Sequence, residues 1–216
     1  MKKLLMPSMM CADYSNLKEE VLRLEEADID MFHCDVMDGT AVPNFAMGLV
    51  DIVTIRKHTD KIIDVHLMIE NPSQKIDLFI DAGVDLIYIH PEMEKKVIET
   101  LQFIKSKGVL AGLAISPDTT IASVRHMLDF ADYVMVMTVH PGFAGQKYLD
   151  FTTRKIEQLV KLKKSMNFKL VIDGAMSPEK IQQLSRLGAD GFVLGTSALF
   201  GKDKNYQELI DDLRKL

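Results

Sequence analysis

Four residues, each within an apolar run typical of a strand, have side chains that can share a metal ion. The residues are His33, Asp35, His66 and Asp173. Imidazole nitrogens and carboxylate oxygens together suit divalent ions such as Zn, Fe(II), Mn, Co or Mg. Carboxylates can also remove and return protons. The set therefore predicts a site for one divalent metal ion beside acid/base groups.

The elements that would position these residues alternate along the chain between short apolar runs and amphipathic segments. The segment Asn16–Ala27, for example, has apolar residues at the three- and four-residue spacing of a helix. Helix-to-strand joints resemble one another at Glu26–Asp30, Asp81–Asp85 and Arg186–Asp190. The predicted strands are Leu4–Met9, Met31–Asp35, Ile62–Leu67, Asp85–His90, Val109–Ile115, Tyr133–Thr138, Lys169–Asp173 and Gly191–Leu194.

Eight strand–helix units in 216 residues give about 27 residues each, which favours a single-domain α/β (β/α)8 TIM barrel over residues 1–216. A doubly wound open sheet is the alternative, although it would usually need fewer strands. In a barrel the active site lies at the carboxyl ends of the strands, where the four residues occur. Strand alternation places His33 and Asp35 on one face and turns Cys34 outward towards the helices.

Composition limits the functional classes. A net charge of −5 argues against a nucleic-acid partner. A hydrophobic fraction of 47% suits a domain with a large core. No apolar stretch approaches the roughly 20 residues that span a bilayer. The two cysteines, Cys11 and Cys34, form no disulfide framework, and the N-terminus makes a poor signal peptide, so we expect a cytoplasmic protein without a membrane partner.

Glycine-rich turns follow the last three predicted strands and indicate an anion site. Backbone N–H groups in such turns can approach a phosphate, and we expect a short helix after Gly195 to add partial positive charge. The predicted substrate contacts in these turns are Gly142, Phe143, Ala144, Gly145, Gly174, Ala175, Gly195 and Thr196.

Other side chains near the strand ends complete the predicted site. Ser8 and Asn44 can hydrogen-bond a sugar, and Asp38 can orient a metal ligand. His90, His140 and Cys11 have no predicted role. Four methionines are expected to form an apolar collar that excludes water, and they are Met9, Met37, Met68 and Met137.

Several stretches resemble the ribulose-phosphate 3-epimerase family along essentially the whole chain. They are Pro7-Ser8 with Ala12-Asp13, His33-Cys-Asp-Val-Met-Asp-Gly39, Val42-Pro-Asn44, Asp64-Val-His-Leu-Met68, Pro141-Gly-Phe143 with Gly145-Gln146, and Ile172-Asp-Gly174. The resemblance implies the barrel fold, the four metal ligands above, and Asp35 with Asp173 as the two acid/base residues. It also implies substrate contacts from Ser8, His66, Asp173 and the glycine-rich turns, and it makes a homo-oligomer the expectation.

The implied reaction is inversion of carbon 3 of a phosphorylated ketose through a cis-enediolate, by two-carboxylate acid/base catalysis. Four stretches look more like the allulose-6-phosphate 3-epimerase branch, so we predict D-allulose 6-phosphate and D-fructose 6-phosphate as the substrate pair. The stretches are Met10-Cys11, His90-Pro-Glu92, Thr138–Gln146 and Gly195–Phe200. The alternatives are D-ribulose 5-phosphate with D-xylulose 5-phosphate, and a non-catalytic phosphosugar-binding barrel.

Overall fold

The computed structural model describes residues 2–216, and within them eight parallel strands alternate with eight α-helices in a TIM barrel. The strands are β1 (Leu4–Pro7), β2 (Met31–Met37), β3 (Ile62–Met68), β4 (Leu86–Ile89), β5 (Leu110–Ile115), β6 (Tyr133–Met137), β7 (Lys169–Asp173) and β8 (Gly191–Leu194). The helices are α1 (Leu17–Glu26), α2 (Leu49–Arg56), α3 (Ile76–Asp81), α4 (Val97–Ser106), α5 (Ile121–Val124), α6 (Thr153–Leu162), α7 (Pro178–Leu187) and α8 (Tyr206–Lys215). The predicted barrel is confirmed.

The sheet runs in the order β1-β8-β7-β6-β5-β4-β3-β2, and its two end strands meet through a parallel bridge between Ser8 and His33. This closure brings β1 beside β2, so that Ser8 lies next to the predicted metal ligands. None of the helices in residues 2–216 is both long and apolar enough to cross a membrane.

Seven predicted strand ends differ from the structure by one or two residues, namely the carboxyl ends of β1, β2, β3, β4 and β6 and the amino ends of β4 and β5. β1 stops at Pro7, and a 3-10 turn occupies Met9–Cys11, so Met9 is not in the strand. β2 and β3 continue to Met37 and Met68 because the two strands pair residue for residue over their full length. Asp85 lies just before β4, and its carboxylate accepts the backbone N–H of Ile63.

Strand alternation divides the buried residues into two layers. In β2, Met31 packs inside the barrel, while Phe32 and Cys34 pack in the larger core between sheet and helices, as predicted for Cys34. Inside the barrel, the ring of Tyr88 lies against Gly112, where an added Cβ would be 2.3 Å from the ring. The interior is therefore filled below the strand ends, and a site must lie above this layer.

The aspartates at the repeated helix-to-strand joints stabilise the opposite end of the barrel. Each carboxylate accepts a hydrogen bond from a backbone N–H of the preceding strand. Each also forms an ion pair with a lysine or arginine that lies in a helix or directly follows one. Asp85, for example, bonds the N–H of Ile63 at 2.9 Å and Arg56 at 2.9 Å. The same pattern occurs at Asp30 with Arg214, at Asp132 with Lys105, and at Asp190 with Lys163. The repeat seen in the sequence thus stabilises the fold at the end of the barrel away from the predicted site.

Candidate active site

The four predicted metal ligands converge at the carboxyl end of the barrel. β2 carries His33 and Asp35, β3 carries His66, and β7 carries Asp173. One potential ligand atom from each lies within 4.8 Å of all the others. Both histidines are fully buried. His33, Asp35 and His66 lie on two paired neighbouring strands, and closure of the barrel brings Asp173 of β7 to them.

The donor atoms face one another in a geometry that fits a metal ion. Asp35 Oδ1 lies 3.2 Å from His33 Nε2 and 3.1 Å from His66 Nδ1. His66 Nδ1 lies 3.7 Å from Asp173 Oδ2. Two imidazole nitrogens and two carboxylate oxygens form a donor set that a divalent ion accepts. The residues present therefore fit the predicted metal, and further positions would stay free for substrate oxygens.

Asp64 contacts the cluster from behind His33, and sequence reasoning did not single it out. Its Oδ1 lies 2.5 Å from His33 Nδ1, and the carboxylate is fully buried. A carboxylate on the far nitrogen of a metal-binding histidine fixes the ring and its tautomer. The available signal was its position two residues before His66, on the same face of β3.

Of the polar residues predicted near the cluster, Ser8 contacts a predicted metal ligand and Asp38 does not. Ser8 donates a hydrogen bond of 2.6 Å to Asp35 Oδ2, which leaves Oδ1 directed at the two histidines. Asp38, predicted to orient a metal ligand, makes no such contact. Its carboxylate accepts the backbone N–H groups of Thr40, Ala41 and Glu70, so it shapes the loop after β2.

The two aspartates of the cluster have opposite pKa shifts. Burial and the nearby charge of Asp35 raise the pKa of Asp173 to about 7. Burial also acts to raise the pKa of Asp35, but hydrogen bonds and charge from His33 and His66 lower it well below its usual range. Two carboxyl groups with separated pKa values are suited to act as base and acid at one pH.

The pKa values of the two histidines are also shifted in opposite directions. Burial acts to lower the pKa of His33, but the carboxylates of Asp64 and Asp35 raise it well above the usual value. For His66, burial dominates and lowers the pKa. In the metal-free protein His33 therefore carries a proton that a metal ion at Nε2 must displace.

The stability of metal-free protein should depend on Asp173. A carboxyl group whose pKa rises from 3.8 to about 7 on folding stabilises the fold at pH below 4, and this contribution is lost as pH rises to 7. We expect metal-free Asp173→Asn protein to match the wild type near pH 4 and to be more stable by a few kcal/mol, to order of magnitude, at pH 7. Thermal denaturation in chelator across this range measures the difference.

The control for this comparison is Asp118→Asn, because Asp118 is a carboxylate at the same end of the barrel with a side chain 83% exposed. The Asp118→Asn variant measures the general effect of removing one exposed carboxylate, with which the Asp173→Asn result is compared. A wild-type protein that stays as stable as Asp173→Asn throughout would contradict a protonated Asp173.

Above the cluster lies an open cleft, and Asp35 and Asp173 reach its surface while His33 and His66 lie beneath. The predicted substrate contacts that line it are Ser8, Gly142, Phe143, Ala144, Gly145, Asp173, Gly174, Ala175, Gly195 and Thr196. His66, also predicted to contact substrate, is fully buried and can do so only from below.

The loops after β6 and β7 are tied to each other and to the loop after β2. Thr138 Oγ1 donates to the backbone oxygen of Asp173 at 2.9 Å. Asn44 Nδ2 donates to the backbone oxygen of Gly142 at 2.7 Å, so Asn44 braces a loop here. Gln146 bonds the backbone oxygens of His140 and Phe143 from within the same loop. These contacts hold the cleft's glycine-rich wall in place.

Backbone conformation explains the small residues in this wall. Gly174 has φ +109°, and a Cβ there would lie 2.7 Å from Val139. Ala175 has φ +52°, a left-handed conformation that residues other than glycine rarely adopt. After β8, the predicted short helix is wrong: Gly195–Phe200 forms a turn in which Leu199 N–H bonds Gly195 O at 3.0 Å.

The methionine collar needs one correction. Met37, Met68 and Met137 line the cleft as predicted, but Met9 does not. Met9 is fully buried in the core between sheet and helices, and Met10 lines the cleft instead. The prediction depended on Met9 lying at the end of β1, but the strand stops at Pro7 and a 3-10 turn begins at Met9.

The three residues left without a role occupy different positions. His140 has a side chain 58% exposed, 3.6 Å from Asp118. Cys11 lines the cleft beside Gly195. His90 is fully buried against His66.

Comparison with known proteins gives the family. The model of the ribulose-phosphate 3 epimerase family matches residues 4–200. A ribulose-phosphate 3-epimerase of Rhodobacter capsulatus is 39% identical over 195 residues, covering 90% of this chain and 85% of the relative. The ribulose-phosphate 3-epimerase of Bacillus subtilis (strain 168) is 35% identical over 211 residues, covering 96% of both chains.

One solved structure has the same fold at low identity. A 3-keto-L-gulonate-6-phosphate decarboxylase from Vibrio cholerae superposes with a TM-score of 0.73 at 19% identity, covering 100% of this chain and 97% of the other. At this identity the likeness concerns the barrel alone.

Proposed function

The chain belongs to the ribulose-phosphate 3-epimerase family and is an isomerase that acts on carbohydrates, and from this premise we propose that it interconverts D-ribulose 5-phosphate and D-xylulose 5-phosphate. The reaction inverts carbon 3 of the sugar. The observation that carries this proposal is the pair of buried carboxyl groups, Asp35 and Asp173, which both border the cleft and have separated pKa values.

The hexulose phosphate predicted from the sequence finds no support in the comparisons. That prediction depended on four short stretches, chiefly in loops. The two relatives described above share 39% and 35% identity across most of the chain, and both are named for ribulose phosphate. The pentulose alternative is therefore the better supported one.

In the proposed mechanism, one carboxylate removes the proton from carbon 3, and the other carboxyl group returns a proton to the opposite face. Asp35 and Asp173 come from different strands, β2 and β7, which supports their approach from two sides. After one turnover each group has exchanged its protonation state, so protons must pass to and from solvent before the next. Product formed in D2O should therefore carry deuterium at carbon 3.

His33, Asp35, His66 and Asp173 would hold one divalent metal ion. When bound, it supplies Lewis-acid stabilisation of negative charge on the sugar oxygens. Asp64 orients His33 through its 2.5 Å contact, and Ser8 orients Asp35. Met10, Met37, Met68 and Met137 limit water above the reacting carbon.

The glycine-rich wall supports binding of the phosphate group. Gly142, Gly145, Gly174 and Gly195 line the cleft on the side opposite β2 and β3. No lysine or arginine lines the cleft within residues 2–216, so the backbone N–H groups of this wall are the donors we assign to the phosphate. A cradle of this kind is compatible with the acidic net charge of the chain. Assembly into a homo-oligomer stays a prediction from the family resemblance.

Paired epimerase assays on metal-replete protein test the substrate. We expect kcat/KM for D-ribulose 5-phosphate to exceed that for D-allulose 6-phosphate by at least about tenfold, since a pocket that leaves one extra sugar carbon misplaced loses on the order of 1–3 kcal/mol. A coupled assay that detects each product measures both rates.

Asp118→Asn is the control for the protein preparation, since it changes an exposed charge outside the cleft. A preference for the hexulose would return the assignment to the sequence prediction. Binding of either sugar without turnover would favour the non-catalytic barrel.

A further inference from the structure

His90 is buried directly behind the metal ligand His66. Its Nε2 lies 2.7 Å from His66 Nε2, and the two ring planes are inclined at 29° with centroids 4.9 Å apart. Both side chains are fully buried. Two imidazole nitrogens at this distance form a hydrogen bond only when one carries the hydrogen and the other does not. The contact therefore couples the tautomers of the two rings.

The far nitrogen of His90 is held by residues of two loops. His90 Nδ1 lies 3.1 Å from Ser116 Oγ and 3.5 Å from Glu92 Oε2. Thr119 donates a hydrogen bond to the other carboxylate oxygen of Glu92. Lys155 from α6 fixes this loop by donating to the backbone oxygens of Ser116 and Thr119, at 2.9 and 2.5 Å. His90 is thus fixed at both nitrogens.

The direction of each hydrogen bond follows from the nitrogen that faces the cluster. His66 presents Nδ1 to Asp35 and Asp173, so Nδ1 is its metal-binding atom. A nitrogen that binds a metal ion carries no hydrogen, and the hydrogen of a neutral ring then lies on Nε2. His66 Nε2–H donates to His90 Nε2, and His90 in turn carries its hydrogen on Nδ1, directed at Ser116 and Glu92.

We propose that His90 is a positioning residue for the metal site, because it accepts the hydrogen bond that keeps the Nδ1 lone pair of His66 free. The proposal rests on the proposed metal-dependent function. Ser116 and Glu92 complete the chain by accepting the hydrogen of His90 Nδ1. His90 touches neither substrate nor metal in this arrangement. Its role for His66 is the one that Asp64 has for His33.

Loss of His90 would favour the wrong tautomer of His66. Without an acceptor behind Nε2, the hydrogen of His66 is better placed on Nδ1, where Asp35 Oδ1 lies 3.1 Å away and accepts it. That tautomer has no lone pair facing the metal. Metal affinity should therefore fall although all four ligands are present.

Titration of metal-free protein with Co²⁺, followed by its visible absorption, tests the proposal without measuring turnover. We expect His90→Leu to bind Co²⁺ about 10- to 100-fold more weakly than the wild type, the range found when such supporting residues are removed. His90→Gln should recover most of the affinity, because its amide oxygen can lie near the former position of Nε2 and accept the same hydrogen bond.

Tyr88→Phe is the matched control. Tyr88 is a fully buried ring whose centroid lies 6.5 Å from that of His66, and its hydroxyl has no hydrogen-bond partner within residues 2–216. The variant changes a buried ring close to His66 without touching the proposed hydrogen bonds. Its Co²⁺ affinity and spectrum should therefore equal those of the wild type.

Other results of the Co²⁺ titration would contradict either the role of His90 or the metal site itself. Unchanged affinity in His90→Leu, or equal losses in the Leu and Gln variants, would show that His90 only fills space. A wild type that binds no Co²⁺ would instead remove the proposed metal site, and the role of His90 with it. If His90→Leu does not fold, the double variant Ser116→Ala/Glu92→Ala decides, since it keeps the ring and removes its outer acceptors. Wild-type affinity in that double variant would overturn the proposal.

Discussion

Asp173→Asn is expected to lower the rate of epimerisation by about 10²- to 10⁴-fold in both directions, the usual contribution of one positioned acid/base group. Asn keeps an oxygen that can face the metal, but it can neither accept nor donate the proton. In the structure Asp173 borders the cleft together with Asp35, which Ser8 holds by a hydrogen bond. Steady-state assays from D-ribulose 5-phosphate and from D-xylulose 5-phosphate measure the loss.

Proton exchange separates the loss of one carboxyl group from general damage. With Asp35 intact, Asp173→Asn should still exchange the carbon 3 proton of one epimer with D2O, as followed by NMR, while inversion is lost. Asp35→Asn should give the same result with the other epimer. Asp118→Asn should epimerise at the wild-type rate. Near-native turnover in folded Asp173→Asn would rule out the two-carboxylate mechanism.

Removal of the divalent metal by a chelator is expected to lower turnover by roughly 10²-fold or more, because Lewis-acid stabilisation amounts to several kcal/mol. Turnover should return when a suitable divalent ion among Zn²⁺, Fe²⁺, Mn²⁺, Co²⁺ and Mg²⁺ is added back to chelator-free protein, and elemental analysis of the protein as purified identifies the metal that it holds. Full activity in protein shown by elemental analysis to lack metal would contradict the proposed role of the cluster.

Metal affinity should rise with pH, because the ion must displace protons from the cluster. Nearby carboxylates raise the pKa of His33 well above its usual value, against the effect of burial, and burial with the charge of Asp35 raises that of Asp173 to about 7. Binding at pH 7 should therefore release at least one proton. Calorimetry in two non-coordinating buffers with different ionisation enthalpies counts the protons.

In the same calorimetric comparison, Asp173→Asn should release fewer protons than the wild type, since the amide has none to lose. Affinity in the wild type should weaken as pH falls below 7. Affinity that is independent of pH from 5 to 8 would mean that the metal-free cluster is already deprotonated.

Much of the fold could be predicted from the sequence because its signals are local. Apolar runs at regular spacing, with helical segments between them, require parallel strands covered by helices, and eight such units fit a barrel. Strand alternation also determined that Cys34 faces outward and that His33 and Asp35 share the inner face. Strand ends were less certain, since pairing with a neighbour extends β2 to Met37 while a turn shortens β1 to Pro7.

The types of the four ligands were readable in the sequence, but their convergence was decided by the tertiary structure. Residues 33 and 173 meet only because closure of the barrel fixes the stagger of all eight strands. The contacts of Asp64 with His33 and of His90 with His66 depend on side-chain directions between neighbouring strands. The two-residue spacing of Asp64 and His66 indicates only that they share a face of β3. Likewise, only the structure shows that Met10 replaces Met9 at the cleft after one 3-10 turn. Local sequence therefore determined which side chains face the barrel interior, whereas long-range packing decided which of them touch.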